Sequence, residues 1–132
     1  MTATQTTSTA HAGHGRTVLR ELTPQHRELR RAIPEVYAGF GELSKAAFTD
    51  GALPRKTKEL MALAIGVVEG CDGCIASHAQ AAARAGATRK EAAEAIGVTF
   101  LMHGGPATIH GARAYEVFCE FADDVDNGTT VA

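Results

Sequence analysis

From about Thr17 to Ala122 the sequence nowhere alternates apolar and polar residues over a strand's length. Its apolar side chains return instead at intervals of three and four, which is the period of an α-helix rather than of a half-buried strand. The chain is Ala- and Leu-rich with few β-branched runs. An all-α fold is therefore expected, a compact bundle of about five to six helices. Residues 17–122 form the expected domain. Residues 1–16, rich in Thr, Ser, Ala and Gly, read as a disordered N-terminal tail, and 123–132 as a frayed C-terminal one.

Local signals divide the domain. Thr23-Pro24 reads as N-cap and first residue of a helix, and Pro34 as either a kink or the start of a new one. Ile33, Val36, Tyr37, Phe40, Leu43, Ala47 and Phe48 share a face expected to be buried. Asp50-Gly51 is a turn before the helix that follows Pro54, whose basic start opposes the helix dipole and must be held by tertiary contacts. A helix then runs through CIASHAQAAARAG to a Gly86 C-cap. Thr88 and Glu91 form a capping box for the next, with Ala92, Ala95, Ile96, Thr99 and Phe100 as its apolar side. HGGP at 103–106 separates it from the last helix. Helices with such small faces pack closely, and a chain of this size is expected to complete its core by oligomerising.

Composition excludes several functions. Thirteen basic and fifteen acidic residues leave a net charge of −2, and aromatics are 5% without a Trp. Neither a nucleic acid nor an anionic membrane finds a partner in such a chain. There is no apolar run of the roughly 18–20 residues a membrane span needs, and no apolar leader segment, so a cytoplasmic location is expected. Three cysteines cannot staple a scaffold, and in a reducing compartment a C-x-x-C pair reads as redox-active or metal-binding.

That pair, Cys71 and Cys74, sits in EGCDGCIASH at the start of a helix. Cys74 and His78 are i, i+4 and so share a helical face, where the imidazole can accept the thiol proton. A helix N-terminus also favours the thiolate, which is the nucleophile. The second cysteine can then resolve a sulfenic acid as a disulfide. The base needs an acid to orient it, and both Glu59 and Glu69 are within reach of periodicity; spacing does not choose between them. Zinc would need four ligands, and no second C-x-x-C or H-x3-H occurs. His103 and His110 flank the GGP break and read as capping or half-exposed core residues, Met61, Met102 and Cys119 as core. His11 and His14 read as tail residues without a role.

The run ELMALAIGVVEGCDGCIASH followed by AAARAGATRKEAAEA resembles the carboxymuconolactone decarboxylase-like superfamily, and within it the alkylhydroperoxidase D-like branch. The resemblance covers about residues 20–122 and rests on the motif E-x11-C-x-x-C-x3-H. It implies a small all-α subunit assembling as a homotrimer or homohexamer. It also implies a thiol-dependent peroxidase with Glu59, Cys71, Cys74 and His78 as its relay, so that Glu59 rather than Glu69 is the acid. The implied substrate is a small hydroperoxide, and the implied reductant an external dithiol or lipoyl-bearing protein. No bound cofactor or metal is expected. Alkylhydroperoxidase D carries a further His between its cysteines, where this chain has Gly73. Two alternatives stand beside the peroxidase: a thiol–disulfide exchange or redox-sensing module, favoured by Gly73, and an acid/base lactone decarboxylase using Glu59 and His78.

Overall fold

The structure is a computed structural model and describes residues 13–128. It is all-helical over that range: α1 (His14–Ala32), α2 (Pro34–Phe48), α3 (Arg55–Glu69), α4 (Asp72–Arg84), α5 (Arg89–His103) and α6 (Gly105–Asp126). The expected tail residues 1–12, His11 among them, and residues 129–132 lie outside the described part. Among the described residues no helix is long and apolar enough to cross a membrane.

Helix α4 is the centre of the bundle, packed between α3 and α6, with α1 laid across it and α5 closing against α3 and α6. Its inward side is Ile75, Ala76, Ala79, Ala82 and Ala83, all buried. Alanines let the flanking backbones approach closely, and the larger side chains come from the neighbours: Leu63 and Val67 of α3, Ile96 of α5, and Val117, Phe118 and Phe121 of α6. Close approach is tightest where α1 meets α6. A methyl group at Gly15 would stand 2.5 Å from Val117 Cγ1 and 2.9 Å from Phe121 Cε2.

Helix α1 corrects two expectations. It begins at His14, inside the presumed tail, and Thr23-Pro24 lies in its interior. The start is fixed by a tertiary contact: the Glu120 carboxylate accepts the N–H groups of Gly15 and Arg16, each at 3.1 Å. A carboxylate there satisfies orphan donors and meets the positive end of the helix dipole. Pro24 offers no N–H to the Arg20 carbonyl, and the Thr23 hydroxyl donates back to the Leu19 carbonyl at 2.9 Å. At the other end, α6 continues to Asp126, past the expected boundary at Asp123. Arg89 pairs there with Asp123 and Asp126.

Pro34 starts a separate helix at its N1/N2 position. The face read from α2 is nonetheless not buried: Val36, Phe40 and Leu43 are 63–69% exposed. Met61, Phe100 and Met102, expected inside, are also exposed. Periodicity reports that a helix has an apolar side, and it says nothing of which element, or which copy, covers it.

The turn signals hold. The basic start of α3 is held as expected from outside: Asp50 Oδ1 accepts the Arg55 N–H at 2.6 Å, Lys58 Nζ donates to the Thr49 carbonyl at 2.6 Å, and Lys56 pairs with Glu91 at 3.0 Å. Gly70, at φ +63°, ends α3 in the left-handed conformation, and the Cys71 N–H closes on the Gly66 carbonyl at 3.1 Å. Both halves of the Thr88/Glu91 capping box form.

Candidate functional site

The left-handed turn at Gly70 reverses the chain so that α4 starts at the foot of α3. Cys71 is the N-cap of α4, and its Sγ accepts the Cys74 N–H at 3.2 Å. A sulfur in that place receives a backbone donor and the positive end of the helix dipole, both of which favour thiolate. Cys71 and Cys74 are joined as a disulfide, their Cα atoms 5.2 Å apart. Cys71 is half-buried and Cys74 exposed, so the second cysteine is the one a solute meets.

His78 follows Cys74 by one turn. Its Nδ1 stands 2.8 Å from Glu59 Oε2. Glu59 is only 2% exposed, at the same time the most buried charged group described. Its second oxygen lies 3.6 Å from Arg55 Nε, one turn earlier on α3. The carboxylate is thus held between an imidazole and a guanidinium, as a buried charge requires. With Nδ1–H donated to Glu59, the other ring nitrogen, Nε2, keeps its lone pair. The Phe48 ring packs against the imidazole, 5.5 Å between centroids and tilted by 33°. Glu69, the other acid considered, is exposed at the end of α3.

The imidazole is a wall between two cavities. One, about 470 Å³, contains Phe48, Arg55, Glu59 and His78. The other, about 600 Å³, has Cys71, Cys74 and His78 in its lining, with the carboxylates Glu21 and Asp72 and the apolar Leu22 and Phe40 among the rest. His78 is the one residue of the expected relay that lines both, with Glu59 on one side and the cysteines on the other. At Gly73 a Cβ would stand 2.9 Å from Leu22 Cδ1, the tip of a side chain that would have to turn aside. His26, one turn on from Leu22, lines the same cavity and is 2.8 Å from the Tyr37 hydroxyl.

Other expected residues fall elsewhere. His14, read as a tail residue, belongs to α1 and lies 3.5 Å from Asp72, at the first turn of α4. His110 packs against Gly70, and His103 is exposed at the end of α5. Cys119 is half-buried on α6; its hydrogen bond to Tyr115 pushes that phenol above its ordinary value. Among the described residues no three His, Cys, Asp or Glu side chains converge as a metal cage. Sequence reasoning missed Phe48, Leu22 and His26 as site residues, since each comes from a helix distant in the chain. Arg55 could have been found, because Arg55 and Glu59 are i, i+4 in a helix already expected.

The profile of the carboxymuconolactone decarboxylase family matches residues 34–116. The chain is 38% identical over 103 residues to an uncharacterized protein of Cupriavidus necator, covering 78% of this chain and 91% of that one. It is 41% identical over 93 residues to an uncharacterized protein of the Paracoccus denitrificans cox locus, covering 70% of this chain and 84% of that one. Among solved structures, a carboxymuconolactone decarboxylase family protein of Legionella pneumophila in its apo form superposes with a TM-score of 0.79 at 41% identity, covering 82% of this chain and 96% of that one. A Thermotoga maritima member of the family, for which an involvement in antioxidative response has been raised, gives 0.74 at 28% identity, covering 88% and 98%.

Proposed function

The chain belongs to the carboxymuconolactone decarboxylase family, and from that premise we propose that it is a thiol-dependent peroxidase working through a Cys71/Cys74 disulfide cycle. One observation carries the reading. A buried carboxylate, Glu59, is hydrogen-bonded to the imidazole that backs the cavity holding the cysteine pair. Such a relay takes a proton at the cavity side of His78 and stabilises the imidazolium from behind.

His78 Nε2 accepts the Cys74 thiol proton, directly or through water. The Cys74 thiolate attacks the distal oxygen of a hydroperoxide, the O–O bond breaks, and the leaving alkoxide takes the proton from the imidazolium to depart as an alcohol. Cys74 is left as a sulfenic acid. The Cys71 thiolate attacks that sulfur, hydroxide leaves as water after protonation, and the disulfide forms. An external dithiol, of lipoyl type by family resemblance, supplies two electrons and two protons by attack on the exposed Cys74 sulfur. Cys71 is the better leaving group there, because the Cys74 N–H and the helix N-terminus favour its thiolate.

Purified protein given cumene hydroperoxide and dihydrolipoamide is expected to consume both in equal amounts. Peroxide alone should leave a protein lighter by two hydrogens, with the Cys71–Cys74 link found by peptide mass. An unaltered peroxide level with a fully competent reductant would refute the peroxidase. The thiol–disulfide exchange reading, favoured by Gly73 in the place of the family's further His, predicts reduction of a disulfide substrate in that case. Lactone chemistry would survive loss of both cysteines.

The active form is proposed to be a homotrimer or homohexamer. Supporting this, Phe40 in the lining of the cysteine cavity and Leu101, Met102 and Ile109 around the α5–α6 turn are 61–84% exposed, and large exposed apolar side chains are what an association surface covers. Light scattering is expected to give three or six times 13.8 kDa; a mass of one subunit refutes it.

A further inference from the structure

Ser77 lines the cysteine cavity, the cavity beside Glu59, and a third one between α1 and α4. It follows Cys74 by three residues on α4 and precedes His78. In a helix each Cα–Cβ bond leans toward the N-terminus, so the side chains at i+3 and i+4 lie over residue i, with Cβ atoms about 5–6 Å away. Ser77 and His78 therefore stand side by side above Cys74, and all three line the cysteine cavity. Ser77 is exposed there, and its hydroxyl is uncommitted. A helical hydroxyl can donate back to a carbonyl one turn earlier, as those of Thr23, Thr99 and Thr108 do at 2.6–2.9 Å. Ser77 makes no such bond. The carboxylates Glu21 and Asp72 of the same cavity accept hydrogen bonds when ionised and donate none. Gln25 and His26 can donate but belong to α1, whereas the helix itself fixes Ser77 to Cys74.

We propose that Ser77 is a further catalytic residue of the cysteine site, its hydroxyl donating to the oxygen that leaves when a hydroperoxide is cut. This role rests on the peroxidase reading. As the Cys74 sulfur bonds to the distal oxygen, the O–O bond breaks and its electron pair goes to the proximal oxygen, which takes its proton from the His78 imidazolium. Ser77 transfers no atom. Its hydrogen bond strengthens as charge grows on that oxygen, so it stabilises the transition state more than the bound oxidant. The oxidant class that gains most is an alkyl hydroperoxide, whose leaving alkoxide is strongly basic. A peroxyacid, which releases a stable carboxylate, gains little.

The second-order rate of oxidation of the reduced full chain tests this. With tert-butyl hydroperoxide, Ser77→Ala is expected to be slower by at least about tenfold. That is less than the roughly 10²–10³ of an enclosed oxyanion donor, because Ser77 meets water. Ser77→Thr keeps a hydroxyl and should recover most of the loss. With peracetic acid, Ser77→Ala should stay within about twofold of wild type. Iodoacetamide should alkylate its Cys74 at the wild-type rate and with the wild-type pH dependence, since alkylation needs only the thiolate. Equal losses with both oxidants, or slowed alkylation, would make Ser77 a support of the thiolate or of the fold and overturn the proposal. An Ser77→Ala protein that meets tert-butyl hydroperoxide as fast as wild type also overturns it, and leaves the peroxidase standing. A wild type that reduces neither oxidant refutes the peroxidase and this role together.

Discussion

Replacing Cys74 by serine is expected to abolish dithiol-dependent peroxide consumption, leaving only the rate of the reductant alone. A serine hydroxyl in the same place has neither a thiolate's nucleophilicity nor its population near neutral pH. Cys71→Ser should behave differently in one respect. With Cys74 intact, a single equivalent of peroxide is still reduced, and the protein stops as a sulfenic acid that a dimedone probe labels. The two variants thus separate attack from resolution: a stoichiometric first turnover in Cys71→Ser and none in Cys74→Ser. The opposite pattern would assign the attack to Cys71, whose sulfur has the helix N-terminal donor but is the less exposed of the two. Steady-state turnover surviving in both variants would remove the cysteines from the mechanism altogether.

His78→Ala should lower the peroxidase rate by about 10²–10⁴, the range a positioned general base supplies. It should also carry the pH dependence of Cys74 alkylation upward, because the thiol must then ionise with help from the helix N-terminus only. The same change leaves Glu59 buried with Arg55 as its remaining partner, at 3.6 Å. A cost of about 1–3 kcal/mol in stability is expected for an under-satisfied buried acceptor, read from urea unfolding. Glu59→Gln divides these effects. Its amide oxygen can still accept the Nδ1–H, so the imidazole stays in place while the charge behind it is lost. The rate should fall less than in His78→Ala, with the alkylation profile shifted in the same direction. An alkylation profile identical to wild type in both variants would show that the buried pair supports the fold alone.

The architecture was legible because helix signals are local. The capping box at Thr88, the left-handed Gly70 and Pro34 at a helix start all depend on a few neighbouring residues. Where a distant segment intervened, the local reading failed. Thr23-Pro24 looks like a helix start, yet α1 begins at His14, because Glu120, more than a hundred residues away, caps it there. The apolar side of α2 was equally plain, and its burial was not: Tyr37 and Phe48 meet other helices, while Val36, Phe40 and Leu43 stay exposed among the described residues.

The candidate site divides along the same line. By itself the sequence determined an all-helical chain with two cysteines opening a helix and a histidine one turn behind the second. Those features need only the 3.6-residue period and the local chemistry of Cys71, Cys74 and His78. Periodicity could not choose between Glu59 and Glu69, because the choice depends on how α3 is rotated against α4. Tertiary packing decided it: the face of α3 that buries Leu63 and Val67 also carries Glu59 inward to His78, and leaves Glu69 in water. It likewise brought Phe48 to His78 and Leu22 to the cysteine cavity from helices that no spacing rule connects to them.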